Sequence, residues 1–321
     1  MTTLSRLGVP LALLALAPLA AGCSDSLGAP GVGSSAQTTD ALALLPADAE
    51  MAGMMNLASA RASGAIDDML GGSGLEMVTT DGAEDFEAFV RMTGFDPNED
   101  LDRVFLAASE TEGRAAFVAY GRFDRERIER YLADQDEAEF EATEIEGLPV
   151  YLLDDDGERA GFALVNAEMV LAGDEATLTD MIGRLGTQRA PSADLQALLD
   201  RVEYPDGAWF VARNLDRRTA GISADAGPEA AAARAASAMV MSMGFQDDGI
   251  PVRAFLVTRE GASADDVADV FRGGLSAAKI GLKDEPAALD VIDRVEVDAE
   301  AEGVRVEAFL TGEFLASVSR D

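Results

Sequence analysis

The sequence predicts an α+β protein built as two repeats, with a predominantly antiparallel sheet and helices packed on one face. Three observations lead there. Residues 139–145, 149–153, 161–165 and 169–172 alternate or run apolar over strand lengths, separated by the turn signals Gly147, Asp156-Gly157 and Asn166, which reads as a meander. Val295, Val297 and Ala299 alternate with Glu296, Asp298 and Glu300, the pattern of a strand with one dry and one wet face. Finally, short segments of the first half recur in the same order in the second.

In chain order, residues 1–22 read as a secretory signal. Arg6 supplies positive charge, residues 7–19 an apolar core, and Ala20-Ala21-Gly22 the small residues of a cut. The apolar run falls short of the roughly 20 residues a spanning helix needs. Pro10 and Pro18 also interrupt it, so it is not read as a permanent span. The only cysteine, Cys23, follows directly. Ala20-Ala21-Gly22-Cys23 resembles the lipobox of bacterial lipoproteins, with Ala20 where leucine is usual and Leu19 one place further back. That resemblance implies a diacylglycerol on Cys23 and loss of the peptide before it. The protein would then be a lipid-anchored member of the bacterial cell envelope, exposed to the periplasm or the cell exterior. The alternative is an ordinary signal cut nearby, with Cys23 a free thiol.

Residues 23–39, rich in Ser, Gly, Ala, Pro and Thr, read as a flexible tether with a reach of roughly 20 to 25 Å. The first α+β repeat is assigned to residues 40–187 and the second to 188–321. In the first, a strand over 50–57 precedes a helix over 58–70 that the glycine run at 71–74 ends. A helix over 84–92 stops at Gly94, strands follow at 103–109 and 115–123, and Asp124 caps a helix carrying Ile128, Tyr131 and Leu132. After the meander, a helix over 175–185 closes the repeat.

In the second repeat, Asp206 to Leu215 echoes Asp48 to Leu57, and Met243-Gly244-Phe245 echoes Thr93-Gly94-Phe95. A strand over 252–260 with a helix over 265–275 echoes 115–123 with its helix. Leu310-Thr311-Gly312-Glu313 echoes Leu171-Ala172-Gly173-Asp174. Residues 228–243 read as a helix, with Pro228 at its start and Ala232, Ala236, Met239, Val240 and Met243 as one apolar stripe. The strand 103–109 is then left without a counterpart. The Leu45-Pro46-Ala47-Asp48 opening, the repeated layout and the signal together resemble uncharacterised bacterial envelope proteins. This resemblance brings no catalytic residues with it.

Composition removes whole classes of chemistry. The chain has no histidine, which excludes Ser/His/Asp triads, histidine bases and histidine-held zinc. A single cysteine excludes internal disulfides and thiolate metal clusters. The 59 acidic residues against 25 basic give a net charge of −34, whose field repels nucleic acid. Such acidity fits a salt-adapted protein, and equally an envelope protein kept soluble by charge.

Three features are weighed as sites. Asp96-Pro97-Asn98-Glu99-Asp100-Leu101-Asp102 spaces oxygens as a calcium loop does, but Leu101 stands where an EF-hand needs glycine. Asp154-Asp155-Asp156-Gly157-Glu158 clusters carboxylates at what also reads as a hairpin turn. Met51, Met54, Met55, Met239, Met241 and Met243 form two groups that suit either a core or adaptable hydrophobic recognition. The site assigned is the lipid attachment at Cys23; no catalytic, metal or cofactor site is assigned, and no cofactor is expected. The expected function is that of a non-catalytic envelope lipoprotein with a structural or partner-binding role. Its partners would be the membrane, through lipid on Cys23, and an envelope protein or a hydrophobic ligand. A binding module for a lipid-like ligand and a carboxylate-based hydrolase are the alternatives.

Overall fold

The computed structural model describes residues 36–64, 89–109, 113–134, 140–155, 158–187, 189–215 and 228–318. Cys23, residues 1–35, the glycine run at 71–74 and most of the helix expected over 84–92 lie outside them.

Helix α1 (Ala36–Leu44) starts inside the stretch read as tether, and Thr38 in it is buried, so any flexible linker ends before Ala36. Strand β1 (Met51–Asn56) leads into α2 (Leu57–Ala62), capped by the Asn56 side chain, which accepts the Ser59 N–H. A helical turn at 89–93 ends at Gly94, whose φ of +69° is the left-handed conformation a C-cap requires. Next come α3 (Pro97–Asp100), β2 (Leu101–Ser109), β3 (Arg114–Gly121) and α4 (Arg125–Asp134). The meander is β4 (Phe140–Ile145), β5 (Leu148–Asp155), β6 (Glu158–Asn166) and β7 (Met169–Asp174), closed by α5 (Glu175–Ile182). The second half runs α6 (Ala193–Leu199), β8 (Ala208–Arg213), α7 (Pro228–Ala235), β9 (Ala236–Met243), β10 (Gly249–Thr258), α8 (Ala264–Gly281), α9 (Pro286–Asp293), β11 (Glu296–Glu300), β12 (Gly303–Thr311) and α10 (Gly312–Val318).

All strands among the described residues join one 12-stranded sheet, ordered β11-β12-β10-β9-β8-β1-β2-β3-β7-β6-β5-β4, with every neighbouring pair antiparallel. The fold class is the α+β arrangement expected from the sequence. The repeat is visible in the strand order: outward from the central β1–β8 pair, one side reads β1-β2-β3-β7-β6 and the other β8-β9-β10-β12-β11. The first half adds the β5–β4 pair at its outer edge.

This order corrects the reading of residues 228–243. The helix ends at Ala235, and residues 236–243 are β9, which occupies the place that β2 holds in the first half. Burial alternates strictly along it: Ala236, Ala238, Val240 and Ser242 are buried, while Ser237, Met239, Met241 and Met243 are half-buried. Alanine and methionine are good helix formers, but pairing with β8 and β10 on both sides outweighs that local preference.

The largest core lies on one face, where α1, α5 and α6 cover Phe105, Val118, Val150, Leu171, Val211 and Val240. Further helices occupy parts of the opposite face. There α4 sets Ile128 and Leu132 against Leu164, Ala119 and Val170, and α8 sets Val267 and Ala268 against Val297 and Val304. The wet stretch is the outer part of the first face, where Glu296, Asp298 and Glu300 are exposed.

Candidate functional site

The acidic loop at 96–102 is engaged by arginine. Asp96 caps α3 by accepting the Asn98 N–H, and Asp100 accepts the Asp96 N–H at 2.8 Å. Arg122 Nε stands 3.1 Å from Asp100, and Arg61 Nη2 stands 3.0 Å from Asp102. Through Nη1, Arg61 also donates to the carbonyls of Asn98 (3.0 Å) and Leu101 (2.6 Å). The guanidinium groups supply positive charge to Asp100 and Asp102, and among the described residues no cluster of three metal-ligating side chains forms. The second acidic group joins β5 to β6, with Asp154 opposite Arg159 and Asp155 opposite Glu158, as a hairpin requires. Asp156 and Gly157 lie outside the described residues.

Three tyrosines have displaced ionisation, all upward. Burial and then the Asp40 carboxylate push Tyr120 to about 12. Burial raises Tyr151, with its 3.1 Å hydrogen bond to Glu129 adding to it, and burial followed by Glu307 raises Tyr204. A base working near neutrality would need the opposite direction.

The methionines converge on the sheet. The register places Met51, Ala212 and Met239 in one row across β1, β8 and β9; Gly53, Phe210 and Met241 in the next; and Met55, Ala208 and Met243 in a third. Opposite these rows β2 brings Leu106 beside Gly53, and β10 brings Ala254 beside Met241. Met51, Met55, Phe210, Met239 and Met241 are all half-buried, whereas their neighbours facing the other way, Ala52, Met54, Trp209, Val211 and Val240, are buried. Met54 is therefore a core residue, and the other methionines line a separate apolar surface. Thioether chains with several rotatable bonds make such a surface adaptable. Sequence spacing found the methionines; the contributions of Phe210 and Leu106 depended on a pairing register invisible along one strand.

One apolar crevice lies on the opposite face, lined by Leu42, Pro46, Ala52, Ala107, Pro191 and Leu195. Its free space is about 10 Å³, room for little more than one water molecule and far below the ~300 to 1,000 Å³ of typical ligand pockets.

Neither a protein-family profile nor a curated protein sequence matches the chain. Among solved structures, the fold is similar to that of TP0453. Its crystal form III aligns with a TM-score of 0.52 at 11% identity, over 89% of this chain and 100% of that one. Crystal form IV gives a TM-score of 0.50, also at 11% identity, over 89% and 98%. At this identity the likeness concerns the fold alone.

Proposed function

We propose that the protein is a non-catalytic cell-envelope lipoprotein, held to the membrane by lipid on Cys23, with a partner-binding role centred on the methionine-lined sheet face. The observation that carries the binding part is the unequal cover of the central strands. One face is closed beneath α1, α5 and α6, while Met51, Met55, Phe210, Met239 and Met241 on the other stay half-buried. A non-catalytic role is supported by the acidic residues that could have done chemistry: Asp96 and Asp100 stabilise a turn, and arginines neutralise Asp100 and Asp102. The anchor rests on the sequence at Ala20-Ala21-Gly22-Cys23.

A second reading, a hydrophobic or lipid-like ligand lying on the same face, is favoured by the uncharged lining. Mass spectrometry of the native protein extracted from membranes tests both. The expected species begins at Cys23 and carries a diacylglycerol mass. A co-purified apolar molecule would move the assignment to the ligand-binding reading, and an unmodified Cys23 would overturn the anchor.

A further inference from the structure

We infer that the edge strand β4 is a docking site that takes an extended, basic segment of a partner protein as an added strand. The sheet ends in two edges, β11 and β4, and they are not equivalent. Glu300 lies opposite Gly303 across the β11–β12 loop. Counting in steps of two from that pair, Glu296 and Asp298 bond inward to β12, and Val297 and Ala299 turn their backbone groups outward. The outward carbonyl of Val297 already accepts a hydrogen bond from Arg272 Nη2 of α8 at 2.7 Å. That guanidinium occupies one of the outward acceptors of the first edge.

At β4 the turn residues Glu146 (φ 49°) and Gly147 (φ 82°) are both left-handed, as in a type I′ hairpin, and Ile145 pairs with Leu148. Inward bonding then falls on Glu141, Thr143 and Ile145. The N–H and C=O groups of Phe140, Ala142 and Glu144 consequently point away from the sheet. All three residues are exposed, and no hydrogen bond from another described residue reaches their backbone. Such a row is a template for another strand.

Charge selects the occupant. A second copy, itself at −34, is repelled, whereas a lysine or arginine on an added strand comes within cross-strand distance of Glu144. Phe140, 37% exposed and on the same face as Glu144, offers an apolar contact beside it. The inference extends the partner-binding reading to a surface which that reading does not use, and its test is blind to Cys23 and to the methionines.

The test is hydrogen exchange of the full chain in about 0.15 M salt. The probe is a synthetic peptide alternating lysine and valine; the control alternates glutamate and valine. The expected result is slowed exchange at Phe140, Ala142 and Glu144 with the basic peptide alone. Ala142→Pro removes an outward N–H while leaving the bonds to β5, so it should keep the fold and weaken peptide binding at least about tenfold. Glu144→Lys, which disturbs no backbone bond, should weaken it as well. Binding unchanged in both variants, protection at β11 in place of β4, or protection of β4 by self-association would each overturn the inference.

Discussion

Arg61 Nη2 stands 3.0 Å from Asp102 Oδ1 while its other terminal nitrogen holds the carbonyls of Asn98 and Leu101. One guanidinium thus fastens α2 to the acidic loop and to the start of β2. Arg61→Ala leaves those acceptors without their charged donor and is expected to destabilise the fold by about 1 to 3 kcal/mol, read as a lower urea midpoint. Calcium chloride should raise the melting temperature of the wild type no more than magnesium chloride of equal ionic strength. A specific calcium effect would restore the loop as a metal site.

The strand assignment of residues 236–243 is tested by two neighbours. Val240 is 2% exposed and belongs to the core, while Met239 is half-buried on the opposite face. Val240→Asp buries a charge and should cost several kcal/mol, about 3 or more, whereas Met239→Asp should cost about 1. Equal losses in thermal melts would contradict the alternation.

The meander, the central strands and the capped helix α4 were legible because each shows its period within one segment. The helical reading holds over 228–235 and fails over 236–243, because Ala232, Ala236, Met239, Val240 and Met243 satisfy a helical spacing, while the pairing that makes 236–243 a strand comes from β8 and β10. The echo of Asp48–Leu57 in Asp206–Leu215 found the right strands but slipped by one residue. It equates Met54, on the α1 face, with Ala212, which lies in the row of Met51 and Met239 on the other. A one-residue slip changes the face of every side chain, and only the register reveals it. Likewise Arg61 and Arg122 carry no motif. Their role as partners of Asp100 and Asp102 exists only once α2, α3 and β3 meet.

Alkaline pH should unfold the protein partly through Tyr120. Its hydroxyl donates to the Gln37 carbonyl at 3.3 Å, and its pKa rises from 10.0 to about 12. A raised folded-state value means the contribution is complete below pH 10 and is lost as pH climbs through about 12. The loss is on the order of 2 to 3 kcal/mol. Tyr120→Phe should flatten that part of a stability profile between pH 9 and 12; an unchanged slope would assign the loss to other groups.

Salt should stabilise the fold. At −34, acids such as Glu296, Asp298 and Glu300 repel one another, and the screening length falls from ~30 Å at 0.01 M to ~3 Å at 1 M. The melting temperature is expected to rise with sodium chloride. A flat or falling curve would mean that ion pairs such as Arg305 with Glu300 already balance the charge locally.

Anchoring by lipid on Cys23 is tested by fractionating cells that express the wild type and Cys23→Ser. Wild-type protein is expected in the membrane pellet and the variant in soluble form, with the same melting temperature, because Cys23 precedes α1 in the sequence. A Cys23→Ser protein that stays in the membrane pellet would contradict it.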